Sequence, residues 1–246
     1  MKPLLQINLA LCCILGVGLA ATILATGALL QAQAEEQALD RARLLMDKAS
    51  AVRSFTADQI EPLLRTQMKT TFLPQAIPAF SATEVLAALR KTYPGFTYKE
   101  ATLNPTNPRD RAEDWEAEIV ERFRHSDELA EYIGRHETAQ AASLVLARPL
   151  RVDDASCLQC HGSAEGAPQP LIARYGAAHG FGWQLHEVVG VQLVSVPLAA
   201  PRQAAREAGH RLVAIYVASF AGVILVVDLM FWLLAVRPRA RKRPAG

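Results

Sequence analysis

The chain has 246 residues, 51% of them hydrophobic and 20% charged, and its 26 basic and 24 acidic side chains leave a formal charge of +2. So even a balance excludes a nucleic-acid-binding composition. Apolar residues concentrated at the two ends exclude both a disordered chain and an ordinary soluble domain.

From Lys2 to Glu35 no Asp, Glu, Lys or Arg intervenes, and Leu4 to Leu30 is 27 residues, more than the roughly 20 that cross a bilayer core of about 30 Å. A transmembrane helix, a signal anchor, is predicted over 4–30. The small-x-small triplet Ala32-Gln33-Ala34 keeps a cleaved export signal as the alternative. Cys12 and Cys13 read as apolar fillers of this segment. A second span is predicted over 212–236, broken by Asp228 and followed by a basic tail, 237–246, with Arg237, Arg239, Arg241, Lys242 and Arg243. Such a tail marks a cytoplasmic flank. The segment 31–210, with 19 basic and 23 acidic residues, is then expected outside the cytoplasm. Asp228 is costly in lipid and should face a partner helix or a polar defect, which points to helix association and a homodimer.

Beyond Glu35 a helical period continues through Leu39, Ala42, Met46, Ala49 and Val52. A second helical stretch, Ala57 to Thr70, is interrupted at Pro62. Ser81 to Glu84 has the spacing of a capping box for a short helix to Lys91. A strand is predicted over Phe96 to Leu103, a rigid turn over Asn104 to Pro108, and a helix over Ala112 to Arg124 with Trp115, Ile119 and Phe123 on one face. Glu113, Glu116, Glu118 and Glu121 read as its solvated face. Strands are predicted over Ala141 to Leu150 and Glu187 to Val196, a loop over Ser156 to Gly166, a helical turn over Pro168 to Tyr175, and a helix from Ala199 into the second span. The class is α+β, one mixed domain between two membrane helices.

Cys157-Leu-Gln-Cys160-His161 is the attachment pattern of c-type haem. Two thiols at this spacing reach the two vinyl groups of one porphyrin, and the adjacent imidazole supplies the proximal iron ligand. Gly162 is expected to let the backbone turn away from the ring. A zinc site would need two more ligands at finger-like spacing, and a thiol–disulfide pair leaves His161 without a role. One covalently attached haem c is the expected cofactor, in agreement with export. The expected location is a bacterial inner membrane with the main domain in the periplasm and both termini cytoplasmic if the first segment is kept.

The motif is one of six ordered blocks: Val52-Arg53, Phe72 to Pro78, Thr102 to Pro108, Trp115-Glu116, Cys157 to Gly162, and Gly182-Trp183 leading into Glu187 to Gly190 and Val194 to Pro197. Over about 35–200 the chain resembles the exported haem domains of the Tll0287-like, or DUF3365, type. The resemblance implies a PAS-like fold, an antiparallel sheet flanked by helices, holding one c-type haem. Some members of that family take a sixth iron ligand from an early cysteine, and no cysteine lies between Cys13 and Cys157.

Met46, on the inner stripe of the first exported helix, is the preferred candidate for the sixth ligand, against its ordinary role as core filler. Met68, His179 and His186 are lesser candidates, and a five-coordinate iron is the remaining alternative. Arg53 is a candidate partner for a haem propionate. Asn104 and Asn107 are candidates for a haem-facing loop, and Trp183 for a wall of the haem pocket. No catalytic constellation is recognised, so the chain is not expected to be an enzyme. A haem-based redox or gas sensor module, signalling through its membrane helices to a separate partner protein, is the first functional expectation. An electron-transfer cytochrome c subunit docking with a membrane redox partner is the alternative.

Overall fold

The computed structural model describes residues 2–138 and 142–236; the basic tail 237–246 lies outside them. Two compact units emerge, one of Met1–Glu35 with Ala200–Gly246 and the other of Glu36–Ala199.

In the first unit, the N-terminal part of α1 (Lys2–Phe55) and α7 (Ala199–Phe231, continued by a π turn to Val236) are each long and apolar enough to cross a membrane. Asp228 meets α1 here: Asn8 Nδ2 donates to its Oδ1 at 2.8 Å. A helix of the same chain thus stands opposite Asp228.

The second unit is built on one antiparallel sheet. Its strands are β1 (Thr97–Thr102), β2 (Tyr132–Glu137), β3 (Ala142–Arg151) and β4 (Val188–Pro197), in the order β1-β4-β3-β2. In register, Glu100 faces Gln192 and Leu146 faces Val194. Successive residues of a strand point to opposite faces, so the sheet has two different coverings. On one face Ala38, Ala42, Met46 and Ala49 of α1 and Leu86 of α3 (Pro78–Leu89) pack on Leu144, Leu146, Val194 and Val196. On the other, Ile119, Val120 and Phe123 of α4 (Asp114–Arg124) pack on Val145, Ala147, Val191 and Leu193. Met46, Leu146 and Phe123 are almost completely enclosed, each stabilising the fold by about 1.5–3 kcal/mol relative to exposure.

Several expectations are corrected. After α1 the chain passes through a π turn, Thr56–Ile60, and restarts as α2 (Glu61–Met68) with Pro62 in its first turn, where a missing N–H costs nothing. The helix α3 begins at Pro78 for the same reason, so Ser81 is not a cap; its hydroxyl donates to the Gln75 carbonyl. The capping box belongs instead to Glu113 and Glu116 at the start of α4. Glu116 is therefore buried rather than solvated, with Lys99 Nζ donating to its Oε2 at 2.6 Å. The strand β2 had no reading in the sequence. The segment expected as loop over Ser156 to Gly166 contains a 3-10 turn, Ala155–Cys157, and the one-turn helix α5 (Leu158–His161).

Candidate functional site

Asp154 caps the 3-10 turn Ala155–Cys157 that leads into α5, its carboxylate accepting from Ser156 N at 2.8 Å. Cys157 and Cys160, three residues apart on a helical turn, share a face, and His161 follows directly. Gly162 closes the turn by donating to the Leu158 carbonyl at 2.9 Å. Its φ of −70° is ordinary, so turning away from the ring is not its reason. A Cβ there would stand 2.6 Å from the Leu158 carbonyl oxygen, and close approach is what demands glycine.

The imidazole of His161 is oriented from a distant segment. Its Nδ1 lies 2.7 Å from the Gly180 carbonyl oxygen. A carbonyl only accepts, so Nδ1 carries the proton and Nε2 keeps its lone pair free. Burial pulls the histidine's pKa down despite this bond, which favours the neutral form a metal needs. Trp183 stacks on the ring at 3.9 Å and 9°, and Thr106 Oγ1 lies 3.4 Å from Nδ1. Backbone bonds from Gly182 N to the Gly162 carbonyl (2.7 Å) and from Trp183 N to that of His161 (3.1 Å) strap the two segments together. Gly180 adopts φ +85°, and a Cβ on it would stand 2.0 Å from Thr106 Oγ1. Asn104 holds this strap from the side: its Oδ1 accepts from Gly180 N and its Nδ2 donates to the Phe181 carbonyl, both at 3.3 Å. His179 Nδ1 is also 3.3 Å from Asn104 Oδ1.

Beside His161 opens a cavity of about 140 Å³. Apolar walls come from Phe72, Pro74 and Ile77 in the loop before α3, from Phe80 on α3, and from Leu171 and Tyr175 on α6 (Gln169–Tyr175). Polar walls come from Glu100 and Thr102 of β1 and from Thr106, Asn107, Arg109 and Asp110 after it. Glu100 is almost fully buried, ion-paired with Arg53 of α1, and accepts from the Tyr98 hydroxyl at 2.7 Å. Burial and the Glu100 charge push the Tyr98 pKa up, so its hydroxyl stays a donor. Arg109 lies over the Phe80 ring at 5.0 Å and pairs with Glu84 and Asp110. Burial pushes the Asp110 carboxyl up to about 6, against the pull of Arg109.

The donor set suits the expected group. Burial pushes both thiols up, unlike the depressed pKa of a reactive redox pair. Among the described residues no three His, Cys, Asp or Glu side chains gather in a metal-holding cluster. What the arrangement offers is two thiols for thioether bonds and one imidazole with a free Nε2 beside a largely apolar recess.

A family model described as Tll0287-like matches residues 31–197. The chain belongs to the Tll0287-like family. Among solved structures it is similar to the cyanobacterial heme-protein Tll0287, at 18% identity and a TM-score of 0.48, over 65% of this chain and 94% of that one. No curated protein sequence matches it.

Within this Tll0287-like chain, the residues singled out from sequence take different places. Cys160, His161, Trp183 and Asn107 line one cavity, with Cys157 on the same turn. Asn104 stands behind the Gly180 strap rather than in the cavity. Arg53 meets Glu100, a carboxylate of this chain that forms part of the cavity wall. Met46 is fully buried in the apolar core between α1 and the sheet and does not line the cavity. Seven residues separate it from Arg53, about 10 Å along a helix, and the structure does not bring it to His161. Neither Met68 nor His186 lines the cavity either. Sequence reasoning passed over Glu100, Tyr98, Arg109, Asp110, Tyr175 and Gly180. One signal was available for the first two: a strand period of two puts Tyr98, Glu100 and Thr102 on one face, and a carboxylate in mid-strand asks for a partner.

Proposed function

We propose that the protein carries one haem c, attached through thioethers to Cys157 and Cys160 with His161 as proximal ligand, in a PAS-like domain held at a bacterial inner membrane. The observation that supports this most is the His161 imidazole, whose Nδ1 is committed to Gly180 and whose Nε2 is left for iron. The relative named above is a heme protein, in keeping with the reading. Bound there, haem would supply a redox-active iron.

The chain's own residues do the rest. Cys157 and Cys160 anchor the ring, Gly180 and Trp183 orient the imidazole, and Phe72, Ile77 and Phe80 keep water from the recess. Glu100 places a buried negative charge at the cavity wall and ties it to α1 through Arg53. A change of charge at the site alters what the Arg53–Glu100 pair contributes, and α1 is one helix from Lys2 to Phe55. The function that follows is a haem-based redox or gas sensor module signalling through its membrane helices to a separate partner protein. The half-exposed positions of Cys157 and Cys160 would leave a porphyrin edge near the surface and favour a second reading, an electron-transfer cytochrome c subunit docking with a membrane redox partner.

The test is haem staining of the full chain on a denaturing gel after production with c-type haem maturation machinery. Covalent haem is expected in the parent and none in Cys157→Ser/Cys160→Ser; staining that survives the double substitution, or is missing from the parent, overturns the assignment.

A further inference from the structure

The cavity wall decides what can stand opposite His161. Haem iron is held by imidazole, thioether, thiolate or a deprotonated phenol, and the lining residues that carry such groups are Cys160 and His161 themselves and, only once ionised, Tyr175. The oxygens are occupied in other ways. Glu100 is held by Arg53 and Tyr98, Asn107 accepts from Arg109 N, and Asp110 pairs with Arg109. Tyr175 differs: it lines the cavity, its ring meets the edge of Phe72 at 5.6 Å, and its hydroxyl makes no hydrogen bond to another described residue. It also lies within electrostatic range of Arg109.

Charge narrows the class of ligand. Among the residues that line the cavity, two carboxylates, Glu100 and Asp110, face one guanidinium, Arg109, which is already paired with Glu84 and Asp110. An entering anion would find no free cation in this lining and an excess of negative charge, and in a poorly solvated recess that repulsion is weakly screened. A small neutral molecule meets no such penalty.

We propose that the sixth position opposite His161 is left to a neutral diatomic gas rather than to a side chain, and that Tyr175 is the hydrogen-bond donor that meets it. This rests on the haem reading above and selects gas binding within it.

The experiment uses the full chain, matured with haem and purified in detergent. A pyridine haemochrome of the denatured protein first reports covalent haem; its absence overturns the underlying reading of Cys157, Cys160 and His161. With haem in place, the reduced protein is expected to be five-coordinate and high-spin, and carbon monoxide to shift its Soret band. A six-coordinate low-spin spectrum that carbon monoxide leaves unchanged overturns the proposal while the haem reading stands. Tyr175→Phe should keep full haem content, move the carbon monoxide stretching frequency and speed gas release several-fold. A stretch and release rate equal to the parent's overturn the part given to Tyr175. Azide added to the oxidised protein should bind several-fold more tightly to Asp110→Asn than to the parent, and equal affinity overturns the charge argument.

Discussion

The two faces of the sheet each bury one carboxylate beside one cation, and both begin from adjacent residues of β1. Lys99 points to the α4 side, where its Nζ donates to Glu116 at 2.6 Å. Glu100 points to the α1 side, where it pairs with Arg53. The chemistry is alike and the surroundings are not. Glu116 uses its remaining capacity on its own helix, accepting from Glu113 N at 2.8 Å, and Ile119 and Phe123 close the apolar cluster around α4. Glu100 instead forms part of the wall of the cavity beside His161, so its charge is felt by whatever occupies that space. A buried ion pair is weak evidence for stability or function by itself; what lies next to it decides which it serves.

The most severe way to break the comparison is Cys157→Ser/Cys160→Ser, which should remove all covalent haem from the α1 side while the circular dichroism of the sheet and helices stays that of the parent. A collapse of secondary structure in the double variant would show that the two faces are not separable.

Gly180→Ala comes next. A side chain at φ +85° that meets Thr106 Oγ1 at 2.0 Å should cost about 2–3 kcal/mol through strain. It should also disturb the haem spectrum, because the Gly180 carbonyl orients His161. Parent-like stability and spectrum together would show that the strap is not needed.

Paired substitutions sharpen the comparison directly. Glu100→Gln and Glu116→Gln should each lower the denaturation free energy by about 2–3 kcal/mol, slightly under the usual cost of breaking a buried pair because Arg53 and Lys99 keep partial solvent access. Only Glu100→Gln should raise the haem midpoint potential, by tens of millivolts, since about 59 mV corresponds to 1.4 kcal/mol for one electron. An equal shift from Glu116→Gln would erase the distinction drawn between the faces.

The smallest effect belongs to Asp110, whose neighbours are Arg109, Glu100 and Lys99. Its carboxyl stands at about 6 in the fold against an ordinary 3.8, raised chiefly by burial. The folded state therefore binds the proton more tightly, so this stabilisation is fully present below pH 4 and is lost as pH rises through 6. Asp110→Asn should match the parent's thermal midpoint near pH 4 and exceed it by about 2–4 °C above pH 6. A difference independent of pH would remove Asp110 as the group responsible.

Much of the fold was legible because it rests on local pattern. The inner stripe of α1 was readable from Leu39 to Val52, β4 from its Val-rich run, and β1 and β3 were also read as strands. The strand β2 escaped because Gly134, Arg135 and His136 carry no apolar alternation; it is an edge strand joined to the sheet by backbone pairing with β3. Pro78 outweighed Ser81 at the start of α3 because a fixed φ and an absent N–H suit the first turn whatever follows. Glu116 looked solvated because helical spacing alone does not show that Lys99 lies beneath it. For Met46 the stripe was right, and the same spacing that turns it inward places it in the apolar layer between α1 and the sheet.

The sequence by itself determined the attachment pattern, the two apolar helices and the family, because thiol spacing, a run of uncharged residues and ordered motifs are properties of neighbouring positions. Tertiary structure decided which imidazole nitrogen is free, which carboxylate faces the cavity and what Arg53 pairs with. Those outcomes join residues 19 and 47 positions apart, and contacts over such separations are set by sheet register and packing, which no local propensity encodes.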